Sequence, residues 1–246
     1  MTATTTSEAR LKELAEVADK VRLFDSRRPG DLRELLDGQE GLLLSVAPKG
    51  RGVDEYRIAY LETAKQLVAL LDGSGLKQLV YTSSGSVYGD QLGSLVDEET
   101  PPHPMTPQAE ILLETESTFL GAEARGLCCC IFRLGEIIGP NRAIEDRVRQ
   151  MAGRVVPGDG RGFVNLSELS DIVKGIAWAY ERHLSGVYNL CRSLPKRRGE
   201  LYDEISERLK LPRVQWATNL TSPFSGSRRL ISAKLEATGF AFGPNL

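Results

Sequence analysis

Two histidines (His103, His183) and four cysteines are all that this 246-residue chain holds of the strongest metal-binding side chains. Three of the cysteines, Cys128, Cys129 and Cys130, are consecutive. Neighbours in a strand point to opposite faces, so these three cannot converge on one ion. Cys191 stands alone, and no ligand spacing typical of a metal site occurs. The cysteines read as small apolar core residues of a protein from a reducing, cytoplasmic compartment. No apolar run approaches the ~20 residues of a membrane span. The opening Met1–Ser7 is threonine-rich, without the basic and apolar regions of a signal peptide. With 31 basic and 33 acidic residues, the net charge of −2 provides no field for recruiting nucleic acid or an acidic membrane. The short basic clusters Lys196-Arg197-Arg198 and Arg228-Arg229 read as solvated surface, with an anion contact as the alternative. Although there are 24 glycines, they never form GxGxxG or GxxGxxG. The phosphate cradle that such a turn builds at a helix amino terminus is therefore not encoded in these residues.

What is present is an alternation of short apolar runs and amphipathic stretches, the pattern of βα repetition and a mainly parallel sheet. Ser7 can cap a helix carrying Leu11, Leu14 and Ala18. Residues 20–24 read as a strand, 31–36 as a short helix, and 41–46 (GLLLSV) as a continuous apolar strand buried on both faces. Residues 54–71 predict a long helix anchored by Ile58, Leu61, Leu67, Val68 and Leu71. A strand over 79–82 ends in Ser83-Ser84-Gly85. Pro107 suits the first turn of a helix running to about Arg125, and 127–132 is another buried strand. Beyond residue 143 come helices over 143–153 and 168–183, a strand over 186–190, a helix over 199–209, and a loop-rich tail from Pro212. This gives one α/β domain whose carboxyl-terminal third packs beside the sheet as a smaller lobe.

Ligands of open α/β sheets bind beyond the carboxyl ends of the strands, so the residues just after each apolar run carry the most information. The stretch Val80-Tyr81-Thr82-Ser83-Ser84-Gly85-Ser86-Val87-Tyr88-Gly89-Asp90 is the most specific in the chain. It resembles the "SS…VYGD" segment of the extended (atypical) short-chain dehydrogenase/reductases, the NAD-dependent epimerase/dehydratase family, and especially the sugar-nucleotide branch. Asp97-Glu98-Glu99, Pro102, Pro104, Arg133, Gly139-Pro140, Asp171-Ile172 and Gly186-Val187-Tyr188-Asn189 continue the pattern in order. So does the tail Ser225-Gly226-Ser227-Arg228-Arg229, with Lys234-Leu235 and Gly239-Phe240.

The resemblance implies NAD or NADP as cofactor, and a strand-end hydroxyl, here Ser84, that holds the substrate's reacting oxygen. A backbone-capping serine is the alternative for that position. It also implies a Tyr-x-x-x-Lys pair on the following helix, with the tyrosine as acid/base and the lysine lowering its pKa and binding the nicotinamide ribose. The matching positions here are Gln108 and Leu112. Glutamine does not titrate, and leucine carries neither charge nor donor. None of the seven tyrosines has lysine four residues on. Asp25 matches the family's adenine-contacting acid, while Ala47 and Ser83 match positions beneath the cofactor. Without the Gly-rich turn all three are read as vestigial. The chain opens at what resembles the end of the family's second strand, one strand–helix–strand unit short. The resemblance therefore implies an α/β fold that is a truncated Rossmann-type doubly wound parallel sheet with a small C-terminal lobe: residues 1–142 as the incomplete dinucleotide-binding part, and residues 143–246 completing the sheet and building the lobe.

Other departures point the same way. Asn165-Leu166-Ser167-Glu168-Leu169-Ser170-Asp171-Ile172 stands where the branch has Asn-x-Ile-His-x-x-Asp-Ile, and Arg192-Ser193 replaces an Asp-Asp pair. These substitutions favour a pseudoenzyme that has lost cofactor binding and redox catalysis. The alternatives are an active or weakly active epimerase or reductase whose Gly-rich unit is missing from the gene model, and a non-catalytic binding or scaffold protein with a small-molecule or protein partner. Removing a central strand also has a structural consequence. Either residues 2–24 pair directly with the 41–46 strand, or its open edge drives self-association.

Overall fold

The computed structural model describes residues 1–25, 28–50, 52–220 and 226–244. Its main sheet has four parallel strands in the order Gly186–Leu190, Cys128–Leu134, Gln78–Ser84, Gly41–Leu44. The registers Leu44↔Tyr81, Ser83↔Arg133 and Tyr188↔Phe132 bring all four carboxyl ends to one side. On one face the helical segments of 53–69 and the Pro107–Gly121 helix enclose Leu44, Leu67, Leu79, Tyr81, Phe119, Cys129 and Ile131. On the other the Leu169–Arg182 helix and the 235–242 tail cover Val80, Cys130, Phe132 and Leu190.

Local chemistry explains the elements that hold the site. Thr106 accepts a hydrogen bond from the Ala109 N–H (3.2 Å), and Pro107 occupies the first turn of its helix. The expected 54–71 helix runs as Val53–Tyr56, a π-helical Arg57–Glu62, and Thr63–Ala69. The wider turn interrupts the 3.6-residue phase, and Ile58 is exposed rather than anchoring the core. Ser7 sits at the amino end of a short 3₁₀ turn, but its side chain makes no capping bond.

The 41–46 segment departs most from expectation. Its strand is Gly41–Leu44, and Leu43 is 42% exposed, so it is not buried on both faces. Among the described strands it pairs only with Gln78–Ser84. Thr2–Thr5 does not pair with it, and instead forms a separate parallel two-stranded sheet with Lys20–Leu23. The short helix Pro29–Leu36 ties that pair to the main core through Leu32 and Leu36.

The carboxyl-terminal third is richer in strands than its polar sequence suggests. Arg192–Arg197 lies antiparallel to Phe163–Glu168, which pairs with Glu136–Ile138. A separate small core of Val148, Tyr202, Ile205 and Val214 holds the helices Ile144–Met151 and Arg198–Arg208 together. The tail beyond Pro212 contributes Gln215–Ala217 and Arg229–Leu230 to two further parallel pairs.

The basic cluster at 196–198 is tied into the protein. Lys196 pairs with Glu204 at 2.5 Å, Arg198 with Glu136 at 2.7 Å, and Arg197 lies over the Phe163 ring. Cys129, Cys130 and Cys191 are buried, and burial pushes the Cys129 and Cys191 thiols up to about 12. Burial pushes Cys130 up as well, while half-buried Cys128 is the accessible one of the row. Because the thiolate is the reactive form, a disulfide-exchange reagent should label Cys128 first, and the other three only on unfolding. Rapid native labelling of more than one thiol would contradict this packing.

Candidate active site

The Gln78–Ser84 strand runs into a 3₁₀ turn, Gly85–Tyr88, which turns Tyr88 back beneath the sheet end. Ser84 caps that turn by accepting the Ser86 N–H at 3.1 Å. A hydroxyl that accepts still has its proton to donate, so the capping role leaves Ser84 competent to hold a ligand oxygen. Gly89 has φ +64°, and a methyl group there would lie 1.9 Å from the His103 carbonyl oxygen. Only glycine fits this corner.

Under Ser84 lies a buried polar network. Glu116 receives Arg133 Nε on both carboxylate oxygens (3.2 and 3.2 Å) and Arg133 Nη2 at 2.6 Å. Ser83 adds its hydroxyl to the same carboxylate at 2.5 Å. The Arg133 guanidinium also stacks on the Tyr88 ring at 4.6 Å, and the Tyr88 hydroxyl donates to Asn189 Oδ1 at 3.0 Å. Burial raises the Tyr88 pKa despite the nearby Arg133 charge. Glu98 accepts the Asn189 N–H at 2.5 Å, and burial raises its pKa too. The network joins the ends of three sheet strands to the Pro107–Gly121 helix. Motif spacing in the sequence marks Arg133 but not its partner Glu116, which lies one and two helical turns beyond positions 112 and 108. A charged residue at that spacing on an otherwise apolar helix face was the available signal.

Residues 226–230 form a strap bonded along residues 89–93. The Ser227 N–H donates to Asp90 Oδ1 (2.8 Å), Arg228 Nη1 to the Gly89 carbonyl (2.7 Å), and Arg229 Nε to the Gly93 carbonyl (2.9 Å). Asn165 clamps it from the lobe, donating to the Arg228 carbonyl and accepting the Leu230 N–H (3.0 and 2.8 Å). Burial depresses the Arg228 pKa, and its Nε, with Ser193 Oγ and Ser227 Oγ, is buried without a hydrogen-bond partner among the described residues. Unsatisfied donors of this kind are costly unless a ligand or water meets them. Ser225, the first residue of the strap's sequence motif, lies outside the described residues.

The remaining sequence-selected positions are scattered. Ala47 is exposed just beyond the Gly41–Leu44 strand, at the same sheet end as Ser84. Asp25 is half-buried at the carboxyl end of the separate two-stranded sheet. There it lines a shallow hollow of about 170 Å³ with Thr6, Glu8, Phe24, Arg28 and Asp31. Ser83 is turned inward onto Glu116 rather than outward. Gln108 is half-buried in the first turn of its helix. Leu112 is 6% exposed and belongs to an apolar cluster of Val87, Tyr88, Val96, Cys191 and Leu230. Arg192, one of the two residues in place of the Asp-Asp pair, bonds the buried Asp171 at 2.8 Å. Among the described residues no cluster of His, Cys, Asp and Glu could hold a metal ion, and no helix is long and apolar enough to cross a membrane.

The comparisons with known proteins converge. The model of the NAD dependent epimerase/dehydratase family matches residues 5–191. Protein YeeZ of Escherichia coli (strain K12) is 31% identical over 193 residues, which are 78% of this chain and 67% of that protein. Among solved structures, a functionally unknown conserved protein from Silicibacter pomeroyi superposes with a TM-score of 0.76 at 23% identity, covering 98% of this chain and 85% of that one. The dTDP-glucose 4,6-dehydratase DesIV from Streptomyces venezuelae, solved with NAD and TYD bound, superposes with a TM-score of 0.77 at 20% identity, covering 92% and 76%.

Proposed function

Because the chain belongs to the NAD dependent epimerase/dehydratase family, we propose that it is a member without redox catalysis, keeping the inherited cleft as a binding site. The observation that carries this reading is Leu112. The family's helix offers a lysine at the matching place, whereas here an apolar side chain is packed under Tyr88 and Leu230. No cation can reach the cleft from that position, and Gln108 cannot exchange a proton at neutral pH. Losing general acid–base help costs ~10²–10⁴ in rate.

The residues of this chain also fit NAD or NADP poorly. Beside the exposed Gly41–Leu44 edge, the described residues contain no strand–turn–helix whose N–H groups could cradle a pyrophosphate. Asp25 and Ala47, which match cofactor-contacting positions, stand on two different sheets. What persists is a ligand seat. In this reading its donors are Ser84 at the strand end and the buried, unmatched Arg228 Nε, Ser193 Oγ and Ser227 Oγ. That donor-rich set suits a small molecule bearing an anionic or carbonyl oxygen. In this reading the partner is such a molecule, held and not transformed.

Calorimetric titration of the 246-residue chain with NAD(H) and NADP(H) should show no binding in the micromolar range. Micromolar affinity would overturn the proposal, because it would show that the residues present do form a cofactor site.

A further inference from the structure

The two basic clusters of the sequence, Lys196-Arg197-Arg198 and Arg228-Arg229, meet in the fold. The Arg197 and Arg229 guanidinia both lie over the Phe163 ring, each 5.1 Å from its centroid. Beside them the Arg198 N–H donates to the Gly162 carbonyl at 2.8 Å, and a Cβ at Gly162 would stand 3.5 Å from the Gly226 carbonyl oxygen at the head of the strap. Arg197 Nη1 and Arg229 Nε donate to the carbonyls of Arg161 and Gly93. Arg198 and Arg228 are the members whose charges bear on one another. Burial depresses the Arg228 pKa, Asp90 opposes that shift, and the charge of Arg198 adds to it.

Two like charges brought together at a half-buried junction need anions beside them. Glu136 supplies one. A carboxylate oxygen accepts Arg198 Nη1 at 2.7 Å, and the other is met by Arg147, all three side chains being half-buried. The backbone holds this carboxylate in place. Gly135, just ahead of it, donates its N–H to Ser167 Oγ at 2.8 Å, and a Cβ there would lie 2.5 Å from the Asn165 carbonyl oxygen. Asn165 is the residue whose side chain clamps the strap at Arg228 and Leu230, and Ser193 is its register partner. Glu136 therefore stands one residue from the junction where the buried Arg228 Nε, Ser193 Oγ and Ser227 Oγ lack partners among the described residues.

Charge decides what can fill that junction. Arg147, Arg198 and Arg228, set against Glu136 and Asp90, leave one positive charge. A single carboxylate neutralises it and has lone pairs for the Nε and both hydroxyls. A second negative charge on the ligand would face Glu136 and Asp90 with no cation of this group left over. We infer that Glu136 is the specificity-determining residue of the proposed ligand site: by holding Arg198 it limits the site to one negative charge, so that a carboxylate is taken and a dianion such as a phosphoryl group is refused. This rests on the ligand-binding reading above and names the class of its ligand. Glu136 touches no ligand itself and acts through Arg198.

The Arg228 Nε–Hε magnetic resonance, assigned by its loss in Arg228→Lys, reads occupancy directly, with acetate as the monoanion and sulfate as the dianion. The parent should bind acetate more tightly than sulfate. Glu136→Gln leaves Arg198 without its counter-charge, and should shift the ratio toward sulfate by at least ~5-fold, the effect of one extra unpaired charge on a second ligand charge. Glu136→Gln combined with Arg198→Gln should restore the parent's preference, which a merely structural Glu136 would not do. Should urea titration find Glu136→Gln unfolded, Arg198→Gln carries the test. It leaves Glu136 less well opposed, and acetate should bind at least ~3-fold more weakly. An unchanged ratio in folded Glu136→Gln, unaltered acetate binding in Arg198→Gln, or a parent that prefers sulfate would overturn the inference while leaving the site in place. An Arg228 resonance that answers neither anion would remove the site, and the inference with it.

Discussion

Glu116→Ala is expected to lower the unfolding free energy by about 3–5 kcal/mol, the cost of breaking a buried ion pair from one side. Glu116 and Arg133 have side chains only 1% and 5% exposed, so deleting the carboxylate strands a guanidinium with no water to take its place. The Ser83 hydroxyl loses its acceptor at the same time. The apolar pair Glu116→Leu with Arg133→Met should recover most of the loss, because it removes both charges together. Urea denaturation of the three proteins is the measurement. A single-variant loss below ~1 kcal/mol, the range of exposed pairs, would mean that water reaches the network. The double variant also asks what the network is for. If it retains stability but loses ligand affinity, Arg133 serves to position Tyr88, on whose ring it stacks, rather than to hold the fold.

The second large effect concerns the family's acid/base pair. Installing tyrosine at 108 and lysine at 112 is expected to yield no NADH-dependent turnover, and to destabilise the protein by at least ~3 kcal/mol through the lysine alone. Leu112 is enclosed by Val87, Tyr88, Val96, Cys191 and Leu230, none of which can pair with an ammonium group in the way a carboxylate does. The lysine would shed its proton or open the cluster. Leu112→Met, which conserves volume, should cost less than ~1.5 kcal/mol. Chemical denaturation of the single and double variants, with NADH fluorescence as the activity readout, checks both halves. Clear turnover above the parent would show that the cleft still receives a hydride carrier.

How far the sequence foretold this structure depends on whether a feature is set locally. The strand at Gly186–Leu190 and the start of the Pro107–Gly121 helix follow from apolar runs, a proline and a capping threonine within a few residues. Both were legible. The exposure of Leu43 was not, because burial of a parallel strand is decided by neighbours far away in sequence, and the pattern GLLLSV is the same with or without them. The π-helical turn at Arg57–Glu62 shifts a face without leaving a composition signal. Arg192–Arg197 is too polar and too basic to look like a strand, yet its Arg192 reaches the buried Asp171. At the site, Ser84 and the substituted positions 108 and 112 could be named from motif spacing. The Glu116 partnership and the unmatched Arg228 Nε needed the third dimension, since each depends on a meeting of distant elements.

The strap has a temporal meaning as well as a geometric one. Ser227 and Arg228 meet Asp90 and Gly89 across 137 and 139 residues of chain. Contacts that span so much sequence close late, because the loop entropy must be lost before the contact rewards it. During synthesis the amino-terminal elements emerge and collapse first, so the sheet and its buried network can form while the strap is still inside the ribosome. The strap can be built only once the last twenty or so residues are released. A polypeptide interrupted between Leu190 and Gly226 would hold all four strands of the main sheet but neither the strap nor the 235–242 tail that covers one of its faces.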